Sequence, residues 1–213
     1  RLRGRGYSFP DQNGLRMIRA AALTMGILAV LGGAASSGAA DSDALKAKLE
    51  TCFACHGEGG VSQTEIVPSI AAEPSYFTQW QLVFFRSGSR KSEIMEPVAA
   101  GLSNEDLKAI GAYLESLAPP RPPKSADDTP DMTKVGARLA EDRHCSSCHK
   151  STFIGQQAAG RLAGQREEVL LKALKDYKSG VRTGSGVAAM PEVAYSLNED
   201  QMKALAHYLA RLP

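Results

Sequence analysis

Two stretches of the chain carry apolar residues at helical spacing. Leu107, Ile110, Leu114 and Leu117 step by three, four and three, and so do Met202, Leu205, Leu209 and Leu212. Such steps put side chains on one face of an α-helix. Ser103, with Asp106 three residues on, and Asn198 supply N-caps, and Pro119 stops the first of these helices. Ahead of them, Val169, Ala173 and Tyr177 step by four with Gly180 as a C-cap, and Trp80 to Phe85 followed by Gly88 is the matching helix. A third pair of helices is expected around Leu45 and Leu49, and around Val135 and Leu139. No alternation of strand period runs to a useful length, so the expected fold class is all-α.

The helices pair because the chain is one unit written twice. Cys52-Phe53-Ala54-Cys55-His56 recurs as Cys145-Ser146-Ser147-Cys148-His149, and Phe85-Arg86-Ser87-Gly88-Ser89-Arg90 as Tyr177-Lys178-Ser179-Gly180-Val181-Arg182. Met95, Val98, Leu102 and Tyr113 recur as Met190, Val193, Leu197 and Tyr208. The offset drifts only between 92 and 95, as short loop indels produce. Between the copies, 119–130 holds five prolines in twelve residues, a semi-rigid spacer. The expected domains are therefore 41–118 and 131–213.

Residues 1–40 read as an address. Arg16 and Arg19 precede the apolar run Ala20 to Leu31, and small residues Gly32 to Ala40 follow. That is the pattern of a secretory signal cleaved just before Ala40 or Asp41, with Met17 fitting a translation start. The run is shorter than the roughly 20 residues a membrane-spanning helix needs. The expected destination is the periplasm.

Charge narrows the functions further. The full chain has a net charge of +2, but five arginines and one acid lie in residues 1–40, leaving a body of net −2. A body of that charge with no basic stripe excludes a nucleic-acid partner. Each half, of about 80 residues, is marginal as a free apolar core, and aromatics are only 6% of the chain. Something besides side chains must fill it.

Cys-x-x-Cys-His is the attachment signature of c-type haem. On one helical turn, positions i, i+3 and i+4 share a face, so two thiols can bond the vinyl groups of one haem while the histidine points at the iron. Cys52, Cys55, Cys145 and Cys148 are the expected attachment points of two haem c groups, with His56 and His149 as axial ligands. Methionine is a common sixth ligand that raises the potential. Met95 and Met190 recur at matching distances and stand beside Pro97 and Pro191 in expected loops. Met132 and Met202 have no ligand-like counterpart, and Met202 is expected in the core. His144 and His207 are expected to be surface or internally satisfied histidines. A zinc site would need the two CxxC pairs to converge, and thioredoxin-like chemistry a βαβ setting; neither pattern is present.

With these motifs the chain resembles the dihaem cytochrome c4 family, two class I cytochrome c domains in tandem, over nearly all of 41–213. Leu162-Ala163-Gly164-Gln165, the Phe/Tyr-x-x-Gly-x-Arg stretch of both halves and the Met–Val–Leu–Tyr pattern carry the resemblance beyond the haem motifs. It implies two His/Met hexacoordinate haems in stacked domains, and a shuttle from a quinol–cytochrome c reductase to a terminal oxidase. It also implies that a proline carbonyl, here of Pro68, holds the first ligand histidine's other ring nitrogen. The second copy has Gly160 there, whose backbone is looser, so the two haems are expected to be inequivalent. The first copy also departs from the Gly-Gln pattern, with Ala72-Glu73.

The expected function is outer-sphere electron carriage, with no enzymatic iron site, since both axial positions are filled. Transient redox partners follow, with peripheral membrane association through respiratory complexes. The alternative is the dihaem subunit of a larger oxidoreductase, such as a flavocytochrome c sulfide dehydrogenase. A dihaem peroxidase would need a displaceable ligand, and a His/Cys haem a fifth cysteine. Arg86, Arg90, Lys91, Lys175, Lys178 and Arg182 are candidates to pair with haem propionates or steer an acidic partner, or else form a solvated face.

Overall fold

The computed structural model describes residues 37–122, 129–183 and 189–213, with side chains from residue 42 onward. Most of the expected export signal and the centre of the Pro-rich linker lie outside the described residues. The first half contains α1 (Ser37–His56), a 3-10 turn (Glu58–Gly60), α2 (Ser75–Arg86), α3 (Met95–Ala100) and α4 (Asn104–Ser116). The second contains α5 (Pro130–Asp142), α6 (Ser146–His149), α7 (Glu167–Lys178), α8 (Ala189–Tyr195) and α9 (Glu199–Ala210). Among the described residues there is no strand; Arg90–Arg182 and Gln156–Ala159 form isolated β-bridges.

The expected helix signals act as read. Ser103 and Asp106 form a reciprocal capping box at the start of α4, and Asn198 and Gln201 one at the start of α9. Each box satisfies two amides that the first turn leaves without partners. α7 is capped by Ser179, one residue earlier than expected, and Gly180 follows at φ +76°.

Two apolar cores result. The first gathers Leu49, Ile110 and Leu114, with Leu45, Phe53, Ile70, Leu82, Leu102 and Leu117 packed around them. The second centres on Ala140, Phe153, Leu170, Leu197, Met202, Leu205 and Leu209, so Met202 is a core residue as expected. Two inward faces differ from expectation. On α5, Leu139 packs against the core as expected, but Val135 is 50% exposed and Gly136 and Ala140 turn inward. A Cβ on Gly136 would come within 2.1 Å of the Ala204 carbonyl on α9, so the crossing is a backbone-to-backbone contact that no valine could share. On α7 the core residues are Leu170, Leu171 and Leu174 rather than Val169, Ala173 and Tyr177. The period was right and the phase was set by what α9 offers.

Matching loops follow each cysteine motif. The amides of Ile70 and Ala71 share the Gly60 carbonyl, and those of Leu162 and Ala163 share the Phe153 carbonyl. The Ala72 amide then donates to Leu114 O and the Gly164 amide to Leu209 O. These bonds pin Pro68 and Gly160 at equivalent places over the two histidines.

Candidate haem sites and the seam between them

Each Cys-x-x-Cys-His motif closes a helix. In the first half α1 runs unbroken through Cys52, Cys55 and His56. In the second, the chain turns at His144, with φ +53°, and restarts as α6 with Cys145 as its cap. Neither motif contains a disulfide; Cys55 and Cys148 are exposed, and burial pushes the Cys52 and Cys145 thiols up.

His56 and His149 are buried. The Pro68 carbonyl accepts from His56 Nδ1 at 2.8 Å, and the Gly160 carbonyl from His149 Nδ1 at 2.8 Å. A carbonyl only accepts, so Nδ1 carries the proton and Nε2 keeps its lone pair. Burial lowers both imidazole pKa values against the raising effect of these bonds, which favours the neutral, metal-ligating form. Paired thiols one turn apart and a neutral histidine with its outer nitrogen committed fit a covalently attached haem in each half. The Gly160 and Pro68 bonds have the same length, and the Phe77 ring lies so close to Gly160 that a Cβ there would come within 2.7 Å of it.

Met95 and Met190, both half-buried, stand at the heads of the short helices α3 and α8 rather than in loops. Pro97 and Pro191 fall in those first turns, where a missing N–H costs nothing, so the prolines mark helix starts. The Met95 amide donates to Ser92 Oγ at 3.1 Å. His144 is exposed, as expected. His207 is buried and satisfied between Glu167 Oε2 at 3.1 Å and Thr129 Oγ1 at 3.0 Å.

The six candidate cations separate by place. Arg86 is tied to Leu102 O and Asn104 Oδ1 within its own half. Lys175 pairs with Glu199, and Lys178 donates to the Tyr195 and Leu197 carbonyls. Lys91 is exposed beside Glu96. Arg90 and Arg182 meet at the seam between the halves, where Gln81 Oε1 accepts from Arg90 Nη1 at 2.7 Å and Arg182 Nη2 at 2.8 Å. Burial, then the neighbouring Arg182, pushes Arg90 down to about 9. For these two a solvated face is ruled out by position.

The same seam holds residues that the motifs did not single out as functional. Gln165 reaches across to Ser69, accepting its N–H at 2.9 Å and donating to its carbonyl at 2.8 Å. Glu73 reaches the other way and accepts the Arg161 N–H at 2.9 Å. Glu73 and Gln165 are equivalent positions of the repeat, and that equivalence is the signal by which the pair could have been found. Burial pushes the Glu73 carboxyl up to about 7 despite the Arg161 N–H and the Arg161 and Arg182 charges, which lower it.

Two all-α halves, each ending a helix in a haem-attachment motif with an oriented histidine, define a dihaem c-type cytochrome. The comparisons agree. Residues 133–213 match the cytochrome c family, and residues 39–114 match the family described as cytochrome c oxidase, cbb3-type, subunit III. The thiosulfate dehydrogenase electron acceptor of Stutzerimonas stutzeri strain A1501 is 32% identical over 171 residues, 76% of this chain and 78% of that protein. Cytochrome c4 of Pseudomonas aeruginosa is 29% identical over 186 residues, 82% of this chain and 90% of that protein. The crystal structure of reduced cytochrome c4 from Pseudomonas stutzeri superposes with a TM-score of 0.73 at 29% identity, covering 81% of this chain and 99% of that one. The chain belongs to the dihaem cytochrome c4 family, carries two haem c groups and is an electron-transfer cytochrome.

Proposed function

We propose that this protein is a periplasmic shuttle that takes electrons from a quinol–cytochrome c reductase and delivers them to a terminal oxidase. His56 with Met95, and His149 with Met190, are its axial pairs. Residues 41–118 and 131–213 form the two haem domains, joined by 119–130. The observation that carries the reading is the same in both halves. A buried, neutral histidine is oriented through Nδ1 by a backbone carbonyl, and a methionine stands at the head of a short helix.

When bound, each haem supplies a one-electron couple. The chain sets its potential through axial ligand, burial and hydrogen bonding around the ligands. Cys52, Cys55, Cys145 and Cys148 hold the macrocycles. Pro68 and Gly160 fix the imidazole planes, so the ligands need little rearrangement when an electron moves. Arg182, buried, and Arg90, half-buried, are both held on Gln81 and are the cations available to the propionates at the seam. Partners dock transiently on a small surface. Lys91, exposed beside Glu96, is a cation offered to such a surface. No helix among the described residues is long and apolar enough to cross a membrane.

The test is the visible spectrum of the reduced, haem-loaded protein with and without carbon monoxide. An unchanged spectrum is expected, because both irons keep their methionines. Ready binding at either haem would sink the closed-site reading.

A second reading is favoured by one specific finding, the 32% identity to a thiosulfate dehydrogenase electron acceptor. On it the haem ligation is unchanged, and the donor is a periplasmic sulfur-oxidising enzyme. Rates of reduction by a quinol–cytochrome c reductase and by a thiosulfate dehydrogenase, measured side by side by stopped flow, separate the two.

A further inference from the structure

The Glu73 contact leads directly to the C-terminal haem ligand. The Arg161 N–H that Glu73 accepts and the Gly160 carbonyl that holds His149 belong to one peptide unit. The order is Glu73 Oε2, Arg161 N at 2.9 Å, across the peptide to Gly160 O, then His149 Nδ1 at 2.8 Å. Hydrogen bonds in such a chain polarise one another. An anionic acceptor on the N–H makes the carbonyl oxygen more negative, draws the Nδ1 proton harder and makes the imidazole a stronger donor.

The first half contains the same relay with a different end. His56 Nδ1 donates to Pro68 O at 2.8 Å, and the Ser69 N–H of that peptide donates to Gln165 Oε1 at 2.9 Å. Each half therefore ends the relay of the other. Gln165 is neutral at every pH, and Glu73 is not.

We propose that Glu73 is a positioning residue through which the C-terminal haem senses pH: when Glu73 loses its proton, the Gly160–Arg161 peptide polarises His149 and the potential of that haem falls. The inference rests on His149 being that haem's axial ligand. Glu73 is buried, and its carboxyl titrates near neutrality. The charged groups facing it are the Arg161 and Arg182 guanidiniums. That of Arg161 is spent on the Ala163 and Pro213 carbonyls, at 2.9 and 3.3 Å, and not on the carboxylate. As one electron leaves the C-terminal haem for the partner, Glu73 releases part of a proton to solvent. The proton returns when the partner supplies an electron. The N-terminal haem, ended by an amide, is the internal control.

The experiment is a spectroelectrochemical titration of the haem-loaded protein from about pH 5 to about pH 9, on wild type and Glu73→Gln. In wild type one of the two potentials falls through neutrality and levels off on either side, while the other stays flat. A tenfold difference in Glu73 proton affinity between the redox states corresponds to about 59 mV. In Glu73→Gln both potentials are flat in this window, and the responding one rests at its acid limit. A Met190→His exchange marks the C-terminal haem by lowering its potential, since methionine ligation raises it.

A slope that survives Glu73→Gln, or that appears at the N-terminal haem, overturns the inference and assigns the proton to another group, such as a propionate. A redox-difference infrared spectrum of wild type gives a reading that needs no variant. The loss of a protonated-carboxyl band on oxidation supports the proposal, and its absence refutes it. Carbon monoxide binding at the C-terminal haem would instead remove the ligation reading. Two haems inert to carbon monoxide with flat potentials remove only this inference.

Discussion

Replacing Gln165 by alanine removes the amide that bridges the two halves. Ser69 is 3% exposed and Gln165 6%, so water cannot take the vacated places without opening the seam. The variant leaves the Ser69 N–H and the Ser69 carbonyl without their partners, formerly at 2.9 and 2.8 Å. A buried polar group stranded in this way costs about 1–3 kcal/mol, so the pair costs about 2–6 kcal/mol. The Arg166 amide, which also donates to Gln165 Oε1 at 3.0 Å, is only partly buried and adds little. The loss should fall on the coupling between the halves rather than on either core, since the side-chain hydrogen bonds of Gln165 go to Ser69 across the seam and to the Arg166 amide. Guanidinium unfolding of the haem-loaded protein, followed by circular dichroism and by haem absorbance, reads both effects. The expected result is a lower midpoint and a transition that broadens or divides as the halves unfold separately. A loss below about 1 kcal/mol with a single unaltered transition would refute the reasoning, because it would mean that the seam is wet or that Ser69 finds other partners.

Two further outcomes are expected. Gly136→Ala should destabilise the second half by more than about 2 kcal/mol in urea unfolding, because the new Cβ would lie 2.1 Å from the Ala204 carbonyl and 2.6 Å from Tyr208 Cβ, and neither can yield without parting α5 from α9. Stability should also depend on Glu73. Its folded-state pKa of about 7 lies above its ordinary 4.5, so its contribution is complete below pH 4.5 and is lost as pH rises towards 7. That amounts to about 3 kcal/mol. The difference in unfolding free energy between wild type and Glu73→Gln should therefore change by that order between acid and neutral pH, with the variant gaining at the alkaline end; no change across this range would contradict a buried, protonated carboxyl.

Each local feature that a few neighbouring residues determine was readable along the chain. The all-α class, the N-caps Ser103 and Asn198 and the haem-attachment motifs depend on spacing within a turn or two of helix, and the duplication on the recurrence of such short motifs 92 to 95 residues on. The apolar stripes of α4 and α9 needed no more than a 3.6-residue period. Phase was harder. On α5 one inward residue is a glycine, because closeness to α9 rather than hydrophobicity selects it, and no periodicity of apolar residues marks that. On α7 several apolar positions compete, and the partner helix decides among them. The prolines beside Met95 and Met190 read as loop signals, yet the first turn of a helix tolerates proline equally well.

The amino-acid sequence by itself determined that this is a duplicated helical chain with two c-type haems, because covalent attachment needs only two thiols and a histidine on one turn. It also named the carbonyls of Pro68 and Gly160, through the family that the motifs resemble. Only the tertiary structure decided what stands behind those carbonyls. A hydrogen bond between Ser69 and Gln165, or between Glu73 and Arg161, spans some 90 residues of chain and leaves no periodic trace. It exists because two folded halves meet face to face, and the burial that this contact imposes is what leaves the Glu73 carboxyl group a proton to lose near neutral pH.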